Sequence, residues 1–244
     1  MTTSGGHRVL LLHHAAGGAS DWREVVEALG SGVEALVPDL PGHGARVAEA
    51  PLDSIEALAS HVAGIVRERG GGPVVAVGHS MGGAVALQLA LDHPELVAGL
   101  VMISTGARFR VARTLLDLVR EHFSELPQRM VAMGFLPSAD PAVVRRYVEG
   151  PWPASPEAAY ADFVACDRFD VRVRLGEVRV PAAVMVGDED LMTPVKRARE
   201  LADGISGARL TIVPGAGHLI IWERPRDVAG EILAVCDAAS RRSA

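Results

Sequence analysis

Residues 74–83 read VVAVGHSMGG. Val74, Val75, Ala76 and Val77 suit a buried strand, since valine is a strong strand former. A glycine follows, then Ser80, then Gly82 and Gly83. A helix cap would account for Ser80 alone, because serine caps helices well. It would not account for glycines two residues to either side. A strand that turns abruptly into a helix pushes the side chain between them out at the carboxyl edge of the sheet. That turn leaves no room for bulk two residues before or after it. Gly78-x-Ser80-x-Gly82 meets the requirement, and Ser80 is the candidate nucleophile.

A serine hydroxyl attacks poorly at neutral pH. It needs a base, and the base needs a partner that orients it. The chain has nine histidines. His7 lies near the start, His61 within a helical pattern, His93 just before a proline, and His122 in a helix-rich insert. His43 sits in the Gly-rich turn DLPGHG, where a structural role is expected. His79 adjoins the serine, so its side chain points elsewhere. His13 and His14 follow the first apolar run. His218 remains, in VPGAGHLIIWERP. It stands on a glycine-flexed loop after a strand that ends near Val213, at the same sheet edge as Ser80, and is the candidate base.

The acid belongs in a comparable loop. VMVGDEDLMTP closes a strand at 181–186 and offers Asp188, Glu189 and Asp190. Asp190 has the offset from the strand end at which such a loop bends back toward the histidine; Asp188 is the runner-up. Thr193-Pro194 would cap and start the next helix. The other loop that could supply an acid reads Ser104-Thr105-Gly106 and holds no carboxylate.

The negative intermediate needs amide donors. One is the N–H of the residue after the nucleophile, Met81; the other comes from the loop after an early strand. That loop is LLLHHAAGGASDW, and its donor is Ala15. His13-His14 has no third ligand nearby, so no metal and no cofactor are expected.

These loops need a scaffold. Apolar runs of strand length recur at 8–12, 33–37, 73–77, 99–103, 181–186 and 208–213. They lack strict alternation, as strands covered on both faces do. Helical patterns lie between them at 20–29, 53–69, 82–92 and 225–239. The second opens on Asp53 with Glu56 as a capping box, and the last begins with Pro225. Alternating strands and helices imply α/β architecture with a parallel sheet. From 106 to 178 the apolar spacing is helical, and Pro127, Pro137, Pro141, Pro151, Pro153 and Pro156 cut it into short helices. An insertion of that length between two strands reads as a lid. The core is then 1–105 with 179–244, and the helical cap is 106–178.

With 49% hydrophobic residues the 244-residue chain can bury a large core. Its net charge of −6, with no basic run beyond Arg241-Arg242, argues against nucleic acid. No stretch reaches the ~18 apolar residues of a membrane span. Cys166 and Cys236 have no CxxC spacing and read as free thiols. A cytoplasmic monomer or homodimer acting on a small molecule is expected.

Ser80, Asp190 and His218, in that order, with LLLHHAAGG, VPDLPGHG, GHSMGG, GDEDLMTP and GAGHLIIWERP, resemble the landmarks of the α/β-hydrolase superfamily over essentially the whole chain. The chain is similar to small bacterial esterases, enol-lactonase-like enzymes and carbon–carbon-bond hydrolases. The resemblance implies a mostly parallel central sheet flanked by helices, with the cap inserted after the sixth strand. It implies acyl transfer through a Ser-His-Asp acyl-enzyme on small to medium apolar esters. Lactone or carbon–carbon cleavage is the alternative; thioesterase, cofactor-free oxygenase or perhydrolase, and non-catalytic receptor roles are further ones. Haloalkane dehalogenation is disfavoured, because that chemistry on this fold uses Asp where Ser80 stands. The usual His-Gly is His13-His14 here, which makes His14 a candidate substrate contact. Trp152 is the candidate from the cap, whose other apolar residues include Phe109, Leu115, Phe123, Met130, Met133, Phe135 and Leu136. DFVACDRFDV resembles the family's return from cap to sheet, with its acids in structural contacts. No basic patch for a phosphopantetheine-linked partner is visible in the sequence.

Overall fold

A computed structural model describes residues 7–150, 152 and 154–243. Pro151 and Pro153, expected to break helices, lie outside them. Along the chain run β1 (His7–Leu12), α1 (Arg23–Leu29), β2 (Val33–Leu36), α2 (Ile55–Glu68), β3 (Val74–His79), α3 (Met81–Asp92) and β4 (Val97–Ile103). Then come α4 (Arg113–Glu121), α5 (Leu126–Gly134), α6 (Pro141–Glu149) and α7 (Pro156–Arg168) without a strand. The chain closes with β5 (Ala182–Gly187), α8 (Val195–Gly204), β6 (Arg209–Val213), α9 (Ile220–Glu223) and α10 (Pro225–Ser243).

The strands form one sheet in the order β2-β1-β3-β4-β5-β6, and every pairing is parallel. Leu12 pairs with Gly78, Gly78 with Met102, and Ile103 with Met185. At the far side Gly187 pairs with Val213. This register brings the segments after β1, β3, β4, β5 and β6 out along one edge.

Both faces of the sheet are covered, which is why the strands read as continuous apolar runs. Val9, Leu11, Val75, Val77, Val101, Ala183 and Met185 pack with α1 and α10. Their neighbours Leu10, Leu12, Ala76, Leu100, Met102 and Val184 pack with α2, α3 and α8. From Met81 to Leu91, α3 is buried on every side. Only small residues let a helix sit so close to a sheet, and this one carries Gly82, Gly83, Ala84, Ala86 and Ala90.

Three sequence readings shift. The insert follows β4, the fourth strand, not the sixth. Only four apolar runs precede residue 106; the higher count came from the resemblance alone. Ser54, not Asp53, caps α2, its side chain accepting the Ala57 N–H at 3.2 Å. Asp53 instead faces Arg168 at 2.9 Å on the surface. Thr193 does not cap α8, whose N-cap is Pro194.

Two glycines give a direct check on the packing. A Cβ on Gly82 would collide with the backbone carbonyl of Leu12, which cannot swing aside. A Cβ on Gly64, inside α2, meets nothing. Gly82→Ala is expected to lower unfolding free energy by at least ~2 kcal/mol. Gly64→Ala should raise it by about 0.5–1 kcal/mol through helix propensity. Urea denaturation of the two variants reads both signs.

Candidate active site

Ser80 stands between β3 and α3 with φ at +53°, a region that L residues other than glycine rarely occupy. Neighbouring strands hold it there. Its N–H donates to the Ile103 carbonyl at 2.8 Å, and its own carbonyl accepts the Thr105 hydroxyl at 2.7 Å. On the other side of the turn, Gly83 N–H donates to the same Ser80 carbonyl at 2.9 Å. The strain is local, and three hydrogen bonds from a packed sheet and helix fix it.

His218 follows β6 and is 1% exposed. Its Nδ1 lies 3.0 and 3.1 Å from the two oxygens of Asp190, which sits in the loop after β5. Asp190 Oδ1 also accepts the backbone N–H groups of Met192 at 2.9 Å and Thr193 at 2.8 Å. The Thr193 hydroxyl donates to Oδ2 at 2.8 Å. Burial alone would push this carboxyl up, but His218 and the Thr193 donors outweigh it and hold it below the usual carboxylate range. An ionised Asp190 keeps the proton on Nδ1 and leaves Nε2 of His218 as the basic nitrogen. Asp188 is used differently. It accepts the Gly215 N–H at 2.8 Å and ties the loops after β5 and β6 together.

His79 is fully buried beside the serine. Its Nε2 donates to the His218 backbone carbonyl at 2.8 Å, with the two rings 5.2 Å apart. Burial, then His14 and His218, push its pKa well down. It is therefore a neutral donor that pins the backbone of His218.

On the opposite wall, the loop after β1 carries Ala15. Its neighbour Ala16 has φ at +59°. The Ala16 N–H donates to Asp162 Oδ2 at 2.8 Å, reaching across to α7 of the insert. The same oxygen accepts His43 Nε2 at 2.9 Å. His43 Nδ1 faces the Pro41 carbonyl at 3.1 Å. Both nitrogens meet acceptors, which suits an imidazolium. Burial opposes that charge, but Asp162 outweighs it and the His43 pKa is raised. His13 is the reverse case. Its Nε2 accepts the Leu40 N–H at 3.2 Å, and burial followed by His43 lowers its pKa to about 4.

Ala15, Ser80 and His218 line one cavity of about 470 Å³. Met81, buried at the start of α3, has one of the helix's unpaired amides. The insert closes the cavity with Phe109, Leu115, Met133 and Phe163. Phe123, Met130 and Phe135 pack into the core instead. Leu136 lines a separate hollow between α5 and α6.

His14 and Trp152 are not at this cavity. They line a second one, of about 440 Å³, with Asp21, Tyr147 and Trp222. The His14 ring is held at both nitrogens: Nδ1 donates to the Ala15 carbonyl at 2.8 Å and Nε2 is 3.3 Å from Asp21 Oδ2, whose attraction raises the pKa against burial. Trp152 is held edge-on to Tyr147 with ring centres 5.6 Å apart.

The cavity also has a charged border absent from the sequence reading. Arg108, Arg110, Arg129, Lys196 and Arg197 line it. They come from three separate segments, so no basic run marks them.

With this geometry in hand, comparison with known proteins is specific. The profile of the alpha/beta hydrolase fold family matches residues 8–225. The chain belongs to that family. Among its relatives, a pimeloyl-[acyl-carrier protein] methyl ester esterase of Nitrosomonas europaea is 27% identical over 89% of this chain and 90% of its own. A 2-hydroxy-6-oxo-6-phenylhexa-2,4-dienoate hydrolase of Comamonas testosteroni is 26% identical over 90% and 84%. Among solved structures, a malate-bound thermophilic esterase from Thermogutta terrifontis superposes with a TM-score of 0.86, at 27% identity over 96% of this chain and 90% of that one. The enol-lactonase from Burkholderia xenovorans LB400 gives 0.87, at 26% identity over 95% and 92%.

This alpha/beta hydrolase carries three supports whose partners its sequence did not give: Thr193, His79 and the Asp162–His43 pair. Thr193, three residues after Asp190, had the spacing of an Asx-type turn. Asp162 lies in the DFVACDRFDV segment whose acids were expected in structural contacts, but its partners, 119 and 146 positions away, had no mark in the sequence.

Asp162→Asn tests the buried pair. His43 has a folded-state pKa above the ~6.5 of an unfolded histidine. Its ion pair therefore contributes fully below pH ~6.5, and the contribution is lost as pH rises through the raised value. The stability gap between wild type and Asp162→Asn should narrow from pH 5.5 to pH 9. Guanidinium denaturation at the two pH values measures it; an unchanged gap would show that His43 does not carry the charge.

Proposed function

We propose that the chain is a carboxylic ester hydrolase that works through a Ser80 acyl-enzyme. One observation supports this most: the buried Asp190–His218 pair opens into the same cavity as a serine held at positive φ on the strand-to-helix turn. A positive-φ serine at the carboxyl edge of a parallel sheet is the geometry of a nucleophile elbow.

In this reading Ser80 Oγ attacks the ester carbonyl carbon while its proton passes to His218 Nε2. Asp190 keeps the imidazole in the required tautomer and stabilises the imidazolium. The N–H groups of Ala15 and Met81 donate to the oxyanion; Asp162 holds the Ala15–Ala16 segment in position. His218 then protonates the leaving alcohol. Water, activated by the same histidine, adds to the acyl-enzyme and releases the acid.

Residues 106–178 act as the lid over this site, the rest of the chain forming the hydrolase core. Phe109, Leu115, Met133 and Phe163 supply an apolar wall for the acyl or alcohol part. Among the described residues, no helix is long and apolar enough to cross a membrane. Lactone or carbon–carbon cleavage by the same residues is the second reading, favoured by the relatives whose names carry those activities.

Ser80→Ala and His218→Ala should each lower kcat by roughly 10⁵–10⁶-fold, with the double variant little worse than either. Asp190→Asn should cost about 10⁴-fold. A panel of p-nitrophenyl esters, lactones and acyl thioesters reads the losses and ranks the substrate classes. Fluorophosphonate labelling should map by mass spectrometry to Ser80. Near-additive losses, or a label elsewhere, would overturn the assignment.

A further inference from the structure

The chain carries a net charge of −6, yet the cavity that holds Ser80 is bordered by one sign of charge. Arg108, Arg110, Arg129, Lys196 and Arg197 line it, and no Asp or Glu is among the described residues that do. Lys196 is the only lysine in the sequence.

Three of these cations stand unpaired. Arg110, Arg129 and Lys196 are exposed and have no ion pair or side-chain hydrogen bond among the described residues. Arg108 has only a loose contact with Asp170 at 3.7 Å. Arg197 pairs with Glu200, its neighbour one turn on, at 3.1 Å. Elsewhere pairing varies: Arg174 meets Asp92 and Glu177 and Arg209 meets Glu231, whereas Arg23 and Arg145 have no ion pair among the described residues.

Their placement also runs against local helix electrostatics. Lys196 and Arg197 occupy the first turn of α8, which has no acidic residue. A helix N-terminus is its positive end, and cations there are disfavoured. Stability of α8 alone does not call for them. Together with Arg108 and Arg110 ahead of α4 and Arg129 on α5, they concentrate positive potential on one opening. Inside it the walls are apolar and end at Ser80 and His218. A cleft of one charge sign with low-dielectric walls focuses its field and gathers counter-charged molecules.

We infer that the substrate of this site is an amphipathic anion: an ester with an apolar chain in the cavity and a carboxylate or phosphate group that docks on Arg110, Arg129 and Lys196. This rests on the ester-hydrolase reading above and adds the charge class of the substrate. It also narrows the sequence reading of a wholly apolar one.

The test uses three p-nitrophenyl esters with acyl chains of equal length, ending in a carboxylate, a phosphate or a neutral primary amide. At low salt the wild-type kcat/KM for at least one anionic ester should exceed that for the amide by roughly tenfold or more. The difference should lie mainly in KM and shrink in 0.5 M NaCl, where screening is strong. The better anion identifies the headgroup. Arg110→Gln, Arg129→Gln and Lys196→Gln should each lose more on that ester than on the amide. An amide ester turned over as well as both anions, or variants that lose equally on all three, would overturn the inference. If no ester is hydrolysed, the functional reading fails separately. Calorimetric binding of the same three esters to Ser80→Ala then decides the charge preference: tighter binding of an anionic ester supports it, and equal binding overturns it.

Discussion

At the site, α3 comes so near the end of β1 that no side chain fits between their backbones. The Leu12 carbonyl lies where a side chain on Gly82 would have to be. That contact sets how near the helix comes to the sheet, and the rest of the site follows from it. The turn between β3 and α3 must be tight, so Ser80 takes a positive φ and projects from the edge. The loop that leaves β1 is carried past the start of α3, so Ala15 shares a cavity with Ser80. One steric limit therefore positions both Ser80, the proposed nucleophile, and one of the proposed oxyanion donors.

That limit does not hold the loop still. Ala16 also has a positive φ, and its amide is anchored to Asp162 on α7. The insert thus does more than line the cavity. Removing the Asp162 carboxylate would leave a buried amide and a buried imidazole without their acceptor, which is costly in a low-dielectric interior. His218, the proposed base, is held by comparable means. His79 stays neutral because it is buried near His14 and His218. As a neutral donor it binds the His218 carbonyl without adding a charge that would oppose an imidazolium at His218.

Charge is sorted by depth. Carboxylates near the site are inside, each with donors: Asp190 with Thr193 and His218, Asp162 with His43 and Ala16, Asp21 with Gly18 and His14. Arg110, Arg129 and Lys196 are outside, at the mouth, and have no partner among the described residues. Buried charges need partners to be tolerated. Exposed ones need none, so they are the groups left available to an incoming anion.

The six strands, the tight turn around Ser80 and the meeting of the loops that carry Asp190 and His218 were legible in the sequence. These rest on local rules: apolar runs for strands covered on both faces, glycines where a turn admits no Cβ, and loops that leave parallel strands at one edge. The α2 cap missed by one residue, because Asp53 and Ser54 are both good caps and only the backbone path chooses between them. Tertiary structure alone decided the direction of side chains and the meeting of distant segments. It turned His14 toward Asp21, set Trp152 against Tyr147, brought Asp162 to Ala16, and gathered cations from residues 108–110, 129 and 196–197 around one opening. Such convergence leaves no mark along the chain, because it depends on distances through space that spacing in sequence does not encode.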